Sequence, residues 1–418
     1  MSQIGLQMYT MRKHANTPEE YRATLQKVSE IGYRVLQVTP PSFYSDDEFM
    51  SLLGEYGLRP DSVFVPTGKI CESMEKAARQ AEKYNIPKRA VNDILADPEV
   101  ELVVNLTYAS SHYEVNRRVL ESGKHLYCEK MMADTVPEAQ ELVALAQEKH
   151  LRFAVAPDTF LGGSMQTARQ FIDTGIIGEP VMGVIRLARN YQMIKSDSDD
   201  AVRKYSVMAR GGGIPYDMGG YYLHTLFNIF GSVSRVCGFS FTRNATRPYL
   251  NPRHSKFDEP YFVDTENTIT GALEFRCGFH ATMAITSECR GGDGNAFEIY
   301  GTDGTLFLGD PNMFNDRLYY RTNGSEKLEF PITHPYGDQP SYRGIGAADM
   351  AWAIRTNRPH RLSAEMGLHA LEVQRGILDS ARDGQFRTLR TTFERPAPIA
   401  ASHQGGACDE RNLYLYEG

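Results

Sequence analysis

The chain has 418 residues, 41% of them hydrophobic and 23% charged, which is the composition of a globular protein large enough for two or three domains. Its formal net charge of −7, with no long basic run, argues against a nucleic-acid-binding surface. No apolar run is long enough to span a bilayer and the N-terminus lacks a signal-peptide pattern, so we expect a cytoplasmic protein that does not bind membranes.

The six cysteines are scattered along the chain and form no C-x-x-C pair. In a chain of this length, such spacing is more typical of reduced thiols than of a disulfide framework or a metal site. The sequence therefore predicts no bound metal.

Residues 4–156 alternate strand-like and helix-like segments. The strand candidates are IGLQMY (4–9), RVLQVT (34–39), SVFV (62–65), ELVVNLT (101–107), KHLYCE (124–129) and RFAVA (152–156). Several are continuous apolar runs, as expected of parallel strands that are covered on both faces. Between them, helices with one apolar face are predicted; Tyr21, Leu25 and Val28 share one face of the first. This alternation predicts a doubly wound parallel sheet.

The first strand and helix lack a glycine-rich turn. Between Leu6 and Ile31 there is no glycine. A G-x-G-x-x-G turn binds the pyrophosphate of a dinucleotide because glycines let the backbone approach it at a helix N-terminus. The segment from Gln7 to Met11 cannot do this in the same way.

After Pro157 the pattern changes to longer strands of period two. TITGALEF (268–275) and GFHATMAIT (278–286) are separated by a short link and predict a hairpin of an antiparallel sheet. Two late helices are expected at about 346–357 and 364–382, and a loosely held tail from about residue 395. We therefore divide the chain into four segments, with the bounds 1–66, 67–157, 158–392 and 393–418.

Polar residues follow two neighbouring strands of the first part. Thr107, Ser110 and His112 come after one strand, and Glu129 and Lys130 end the next. Ligands of open α/β sheets bind outside the carboxyl ends of the strands, so we expect a cofactor beside these residues. A lysine at this edge can orient a substrate hydroxyl and help to move its proton. A solvated surface charge is the alternative interpretation of Lys130 and is about equally probable from position alone.

Several collinear motifs resemble the glucose–fructose oxidoreductase / inositol dehydrogenase (Gfo/Idh/MocA) family. They are NLT (105–107) with a histidine five residues on, SGKHLYCEK (122–130), APDTFLGGSMQTARQFIDTGIIGEPV (156–181), GGGIPYDMGGYYLHTLFNIFG (211–231), FEIYGTDGTLFLGDPN (297–312) and RGIGAADMAWAIRTNRPHRLS (343–363). The resemblance covers about residues 70–390. It implies a Rossmann-like parallel sheet domain, here with an atypical first half, followed by an α+β domain with a large, mainly antiparallel sheet.

The resemblance also implies the roles of single residues. Lys130 matches the catalytic lysine of the family, Asp217 matches its aspartate, and Tyr221 stands where many members have histidine and some have an acid/base tyrosine. A phenol beside an ammonium is a chemically sensible pair for proton transfer. Packing against the core is the alternative for Tyr221 and the preferred one for its neighbour Tyr222. Residues assigned to the substrate side are His224, Asp158 and Arg169.

The chain departs from the family in two places. EKMMA (129–133) replaces the usual EKPLA, which could shift the aim of Lys130, and the N-terminal glycine motif is missing. The first 65 or so residues instead resemble the start of xylose-isomerase-like sugar phosphate isomerase/epimerase barrels. Since such a barrel needs eight strands, we expect this segment to complete the first sheet without isomerase activity.

The turn at Thr67-Gly68-Lys69 stands where an acidic residue would normally bind the adenosine ribose. If a dinucleotide binds, Thr67 and Lys69 at a helix N-terminus favour a 2′-phosphate, and therefore NADP over NAD. An ordinary strand–helix turn is the alternative interpretation.

Together these features predict an NAD(P)-dependent oxidoreductase that acts on a sugar, a sugar derivative or a cyclitol. The alternative is a catalytically impaired or non-catalytic sugar-binding relative that has lost normal dinucleotide binding. The resemblance further implies a homo-oligomer, a dimer or tetramer, whose only other partner is the small-molecule substrate.

Overall fold

The computed structural model describes residues 5–7, 17–30, 35–38, 44, 46–63, 89–189, 212–248, 257–263, 265–289, 296–322 and 324–401. Within these ranges, no helix has the length and apolar character that crossing a membrane requires.

The N-terminal part forms a small parallel sheet with two helices. The strands β1 (Gly5–Gln7), β2 (Val35–Val38) and β3 (Arg59–Val63) lie in that order, with α1 (Pro18–Glu30) and α2 (Asp46–Glu55) between them. Helix α1 begins where the sequence predicts it, because Thr17 Oγ1 accepts a hydrogen bond from Glu20 N at 3.2 Å and two glutamates favour the positive end of the helix dipole. The predicted apolar face of α1 is buried and packs with α2 into a separate core.

A second parallel sheet follows. It contains β4 (Leu102–Asn105), β5 (His125–Cys128) and β6 (Phe153–Val155), in that order, with α3 (Val91–Ala96), α4 (Ala109–Glu121) and α5 (Val136–Glu148). Helix α5 starts with a capping box in which the Thr135 side chain accepts from Glu138 N and Glu138 Oε2 accepts from Thr135 N. This sheet confirms the predicted Rossmann-like first domain.

Within the described residues, no strand pairing joins the two three-stranded sheets, and their buried apolar residues form two separate clusters. The completion of one continuous sheet by residues 1–66 therefore stays a prediction. The helix predicted after the third strand, including its face of Met74, Ala77, Ala78 and Ala81, lies outside the described residues.

The C-terminal part is built around a nine-stranded sheet. Its strands in spatial order are β16 (Leu328–Phe330), β15 (Leu318–Thr322), β14 (Gly304–Leu308), β13 (Ala296–Gly301), β7 (Pro180–Ala188), β12 (His280–Thr286), β11 (Thr268–Phe275), β8 (Val233–Phe241) and β17 (Arg387–Thr388). All pairs are antiparallel except β7 with β12. The predicted hairpin is confirmed as β11–β12, with Thr268 opposite Thr286 and Glu274 opposite His280. A further short pair, β9 (Thr246–Pro248) and β10 (Pro260–Phe262), is separate from this sheet.

Helices cover one face of the large sheet. They are α6 (Gly163–Asp173), α7 (Ile214–Phe230) and α9 (Ala364–Asp383), while α8 (Ile345–Thr356) contacts β6 of the first domain and a 3₁₀ turn lies at Thr159–Leu161. Helix α9 lies close to the sheet because β8 and β11 present glycines to it: a Cβ atom on Gly238 or Gly271 would lie 2.9 or 3.1 Å from Ile377. The two late helices are therefore found where the sequence predicts them.

The start of the C-terminal tail differs from the expectation of a loosely held extension. Ile399 is buried and its N–H donates to Gln166 Oε1 at 2.9 Å, while Pro396 O and Ala397 O accept hydrogen bonds from arginines. The composition of the tail did not show this, because the partners of its backbone lie on α6 and in the loop before α9.

Candidate active site

Three side chains predicted to be catalytic come together between the two domains. Lys130 follows β5, and Asp217 and Tyr221 lie one turn apart near the start of α7. Lys130 Nζ lies 3.3 Å from Asp217 Oδ1 and 5.1 Å from the centroid of the Tyr221 ring. The folded chain thus places an ammonium, a carboxylate and a phenol within one cluster, which we call the Lys130 cluster.

Lys130 is held in its charged form. Its side chain is 13% exposed, and burial alone would lower its pKa. Electrostatic interactions with Tyr221, Asp217 and Glu129 outweigh burial and raise the pKa of Lys130 above its ordinary value. At physiological pH, Lys130 is therefore an ammonium that can donate hydrogen bonds but cannot accept a proton.

Arg343 is a fourth member of the cluster that sequence reasoning missed. Its Nη1 donates to Tyr221 Oη at 3.3 Å and its guanidinium carbon lies 5.4 Å from the centroid of the same ring. Its Nη2 donates to Asn312 Oδ1. Burial acts to lower the pKa of Arg343, but interactions with Tyr221, Asp158 and Glu129 raise it by more than burial lowers it. The guanidinium therefore stays charged. No local sequence pattern indicates this contact, because Arg343 and Tyr221 are 122 residues apart.

Asp158 binds the backbone of the turn that follows Arg343. It is 2% exposed, and its Oδ2 accepts from Gly344 N at 2.8 Å and Gly346 N at 3.1 Å, at the start of α8. Burial raises the pKa of Asp158, and Arg343 and the two N–H groups oppose that rise. Asp158 was predicted on the substrate side; its described contacts instead make it an anchor for the turn that carries Arg343.

His112 joins the two loops that border the cluster. Its Nδ1 lies 2.6 Å from Met131 O, and its Nε2 lies 2.9 Å from Thr107 O. Both partners are carbonyl oxygens, so both ring nitrogens donate and the ring is an imidazolium. Burial lowers the pKa of His112, but Cys128 and the two carbonyls outweigh it and raise the pKa to about 9. His112 therefore fixes the loops after β4 and β5 rather than facing the cleft.

Asn116, one turn after His112 on α4, completes this connection. It is fully buried, its Oδ1 accepts from Asn105 Nδ2 at 2.8 Å, and its Nδ2 donates to Met132 O at 3.0 Å. Asn105 Oδ1 in turn accepts from Thr107 N at 3.1 Å. The four-residue spacing of His112 and Asn116 on one helix face was a usable signal, since two polar residues on a face turned toward a sheet need partners there.

The loop after Lys130 also contains the departure from the family motif. The Lys130–Met131 peptide bond is cis, as is Ala156–Pro157. The carbonyls of Met131 and Met132 are those bound by His112 and Asn116. Side chains of α4 therefore hold the segment in which the motif proline is replaced.

Polar groups that could hold a dinucleotide lie at the carboxyl ends of β4 and β5. Thr107 is half-buried and its Oγ1 donates to Asn105 Oδ1 at 2.7 Å. Ser110 is exposed in the first turn of α4, a turn that no described side chain caps. Glu129 is half-buried, and its Oε2 accepts from Lys130 N at 3.2 Å. An exposed hydroxyl at an uncapped helix N-terminus fits a polar or anionic ligand. The predicted cofactor residues Thr67 and Lys69 lie outside the described residues.

His224 and Arg169, which were predicted on the substrate side, lie elsewhere. His224 Nδ1 is 2.9 Å from Gly220 O, its ring stacks on Phe160, and burial lowers its pKa to about 4. Arg169 donates to Asn228 Oδ1 at 2.7 Å, near the other end of α7. Both assignments stay predictions; the structure shows that the two side chains are buried, since α7 is surrounded by protein and a residue one turn from Tyr221 can face the core.

A separate cleft of about 680 Å³ lies beside the first turns of α5 and α7 and is lined by Thr135, Tyr216, Arg375 and Arg382, among others. None of the four residues of the Lys130 cluster lines it. We place the candidate active site at Lys130 because the paired charges and the phenol there can move a proton, whereas Arg382 at the cleft is occupied by Asp379 at 2.9 Å. The described residues contain no group of three or more side chains that could hold a metal.

Comparison with known proteins identifies both domains. Residues 59–156 match the model of an oxidoreductase family with an NAD-binding Rossmann fold, and residues 165–307 match a GFO/IDH/MocA C-terminal domain.

Two curated relatives are uncharacterised oxidoreductases. One, from Schizosaccharomyces pombe, is 32% identical over 164 residues, which are 39% of this chain and 43% of the relative. The other, from Synechocystis, is 27% identical over 267 residues, which are 62% of this chain and 68% of the relative. The match thus spans less than half of the first relative and about two thirds of the second.

Solved structures show the same fold at low sequence identity. An NAD-binding oxidoreductase from Klebsiella pneumoniae is 18% identical with a TM-score of 0.65, over 94% of this chain and all of the other. A levoglucosan dehydrogenase in complex with NADH and L-sorbose is 17% identical with a TM-score of 0.64, over the same shares.

Proposed function

The chain belongs to the Gfo/Idh/MocA family of oxidoreductases, and from this premise we propose that it is a dehydrogenase of a sugar, sugar derivative or cyclitol. The observation that carries the proposal is the Lys130 cluster, in which an ammonium, a carboxylate and a phenol meet at the carboxyl end of β5. Hydride transfer from a hydroxyl-bearing carbon requires that the hydroxyl proton be removed, and this cluster contains the groups for that step.

The cofactor of the proposed reaction is a nicotinamide dinucleotide, consistent with the NAD-binding family match. It would be held by Thr107, Ser110 and Glu129 beside Lys130, and when bound it supplies the acceptor or donor of the hydride. Thr67 and Lys69 would decide between the two cofactors, and by their chemistry they favour NADP over NAD.

The side chains of the Lys130 cluster have different roles in binding the substrate oxygen and moving its proton. Lys130 donates a hydrogen bond to the substrate oxygen and orients it, since it is charged and cannot act as a base. Asp217 holds the ammonium in place. Tyr221 takes the proton from the hydroxyl during oxidation and returns it to the carbonyl oxygen during reduction.

The proposed substrate class is inferred from related proteins and not from a substrate subsite among the described residues. The levoglucosan dehydrogenase of similar fold is in complex with a sugar, L-sorbose. A polyhydroxylated substrate also suits a cluster whose groups all recognise hydroxyl or carbonyl oxygen. The alternative of a non-catalytic sugar-binding relative is not supported, because Lys130, Asp217 and Tyr221 are all present and Lys130 interacts with both of the others.

We also propose that the protein forms a homo-oligomer through the uncovered face of the nine-stranded sheet. Phe239 and Phe241 on β8 are 76% and 48% exposed on this face, and Met182 on β7 is 41% exposed. Exposed large apolar side chains on one broad face are typical of a protein interaction site. A second copy of the same sheet provides a matching flat surface.

Binding of cofactor tests the proposed function directly. Purified protein is titrated with NADH and with NADPH, while nicotinamide fluorescence and the thermal midpoint are followed. We expect one of the two to bind in the micromolar range and to raise the midpoint. A panel of aldoses, ketoses, anhydro-sugars and inositols, assayed for reduction of the cofactor that binds, then identifies the substrate. Binding of neither cofactor would overturn the proposal.

A further inference from the structure

We propose that Arg343 is a catalytic residue of this site, which stabilises the phenolate of Tyr221 and so makes Tyr221 the group that accepts the substrate proton. The inference rests on the proposed function for the identity of the substrate, but its physical core is a relationship between Arg343 and Tyr221 that can be measured without turnover.

The first step is the hydrogen bond itself. Arg343 Nη1 lies 3.3 Å from Tyr221 Oη, and a guanidinium has donors but no acceptor, so the phenol oxygen must be the acceptor. This bond persists whether or not the phenol is ionised, and it becomes charge-assisted when it is. When the phenol is neutral, its own proton is not used by Arg343 and can be donated to a second acceptor, such as a substrate oxygen.

Two cations lie close to the ring of Tyr221. Lys130 Nζ and the Arg343 guanidinium lie 5.1 and 5.4 Å from the ring centroid of Tyr221. The carboxylates facing this region are Glu129, Asp158 and Asp217. Among the described residues, none of the three hydrogen-bonds Tyr221 Oη: they bind the Lys130 N–H, the start of α8 and Lys130 Nζ. The tyrosine oxygen therefore faces a cation directly and the carboxylates only at longer range.

Neighbouring contacts hold Arg343 in this position. Its Nη2 donates to Asn312 Oδ1, and the residue directly after it, Gly344, adopts a left-handed conformation (φ 99°) and donates its N–H to Asp158. Arg343 is thus fixed on both sides, by a side chain of the β14–β15 loop and by a buried carboxylate. A preorganised cation costs no reorganisation when charge develops on the phenol.

The fourth step excludes the other acceptors. Lys130 is an ammonium and cannot take the proton. The carboxylates Asp217, Glu129 and Asp158 are occupied by Lys130 Nζ, the Lys130 N–H and the N–H groups at the start of α8. In the oxidation, the proton leaves the substrate hydroxyl and joins Tyr221 Oη as the C–O bond becomes a carbonyl, and a bound oxidised nicotinamide would accept the hydride released from the C–H bond. The negative charge on Tyr221 before this step is what Arg343 stabilises.

The decisive experiment needs no substrate. The tyrosinate absorbance of the wild type is followed against pH, and the same titration of Tyr221→Phe is subtracted, which leaves the signal of Tyr221. In Arg343→Ala we expect this signal to appear at a pH about one unit or more higher than in the wild type, and in Arg343→Lys at an intermediate pH. The matched control is Arg317→Ala, an arginine that is 69% exposed and bound to Glu329; it should leave the Tyr221 signal unchanged. An unchanged Tyr221 signal in Arg343→Ala would overturn the inference.

Turnover gives a second readout once a substrate is known. Arg343→Ala should lose about 10- to 100-fold in kcat with little change in KM, and added guanidinium ion should restore part of the rate. A merely structural role would give loss without rescue by guanidinium, and this result too would overturn the inference. Binding of NADH and of NADPH to the wild type and to Arg343→Ala is measured alongside, so that a failure of the proposed function (binding of neither cofactor by the wild type) is distinguished from a failure at Arg343.

Discussion

Lys130 Nζ lies 3.3 Å from Asp217 Oδ1, so that one ion pair connects the end of β5 in the first domain to the first turn of α7 in the second. The two residues are 87 positions apart, and each depends on its own domain for its place. The same contact therefore contributes to the charged state of Lys130 and connects the two domains at this point.

Replacement of Lys130 tests its role in the cluster. In Lys130→Met the stem is kept but the ammonium is lost, so the substrate oxygen has no donor and Asp217 loses its counter-ion. We expect kcat/KM to fall by about 10²- to 10⁴-fold. The matched control, Lys149→Met, removes an exposed ammonium whose hydrogen bond among the described residues is to a backbone carbonyl, Glu121 O, at 3.3 Å, and it should keep its rate. A near-normal rate in Lys130→Met would contradict the assigned role.

Asn116 is predicted to position the loop that carries Lys130. In Asn116→Leu, Met132 O and Asn105 Nδ2 lose their buried partner, which should lower the free energy of unfolding by about 1–3 kcal/mol. The rate should fall as well, because the loop after Lys130 is no longer held from α4. Urea unfolding and steady-state kinetics measure the two effects. Asn92→Ala, which removes a hydrogen bond on an exposed part of α3, should change neither, and equal effects in both variants would speak against the role of Asn116.

His112 predicts a loss of stability at alkaline pH. Its pKa is about 9 in the folded protein and 6.5 ordinarily, so the folded state binds the proton more tightly. The stabilisation is complete below pH 6.5 and is lost as the pH rises through 9, at up to about 1.4 kcal/mol per pH unit. His112→Gln should flatten this dependence in urea unfolding between pH 6.5 and 9. His150→Asn, at an exposed histidine, should not, and an unchanged slope in His112→Gln would disprove the buried imidazolium.

His224 predicts the opposite behaviour at acidic pH. Burial lowers its pKa to about 4, so the unfolded chain takes up the proton first as the pH falls. Stability should therefore decrease between pH 6.5 and 4, by up to about 1.4 kcal/mol per pH unit for this side chain. His224→Phe removes a ring nitrogen that is buried without a partner, and it should reduce the acid sensitivity without loss of stability at neutral pH. His334 and His369 carry the same shift, so part of the dependence should remain.

The uncovered sheet face predicts the site of self-association. Phe239→Glu places a charge at an apolar position that is 76% exposed, and it should convert the proposed oligomer into a monomer in light scattering after size exclusion. Leu328→Glu introduces the same charge on the edge strand β16, where the side chain is 60% exposed, and should leave the assembly intact. An oligomer that survives Phe239→Glu would place the interface elsewhere.

The sequence predicted the fold and part of the site for identifiable reasons. Strand–helix alternation and period two are local patterns, so the two domains and the β11–β12 hairpin could be read from them. Lys130, Asp217 and Tyr221, which the structure brings together, were predicted because each lies in a motif of the family. Arg343 was missed because its partner is distant in sequence, and the site gave no charge pattern that would pair them.

The orientation of buried polar residues was the harder problem. His224 has the spacing of a site residue on α7, but whether it faces the cleft or the core depends on what packs around the helix. His112 occupies the predicted position after β4, yet the folded chain turns its ring between two carbonyls. A motif fixes the position of a residue along the backbone, and only tertiary contacts fix where its side chain points.

The two separate hydrophobic cores have a consequence for folding. Tyr21, Leu25 and Phe49 belong to a cluster of residues 21–58 that shares no member with the core of the rest of the described chain. Cooperative unfolding requires that the loss of one set of contacts destabilise the other, so this segment is expected to melt as its own unit. A single denaturation midpoint would then be an average over two transitions.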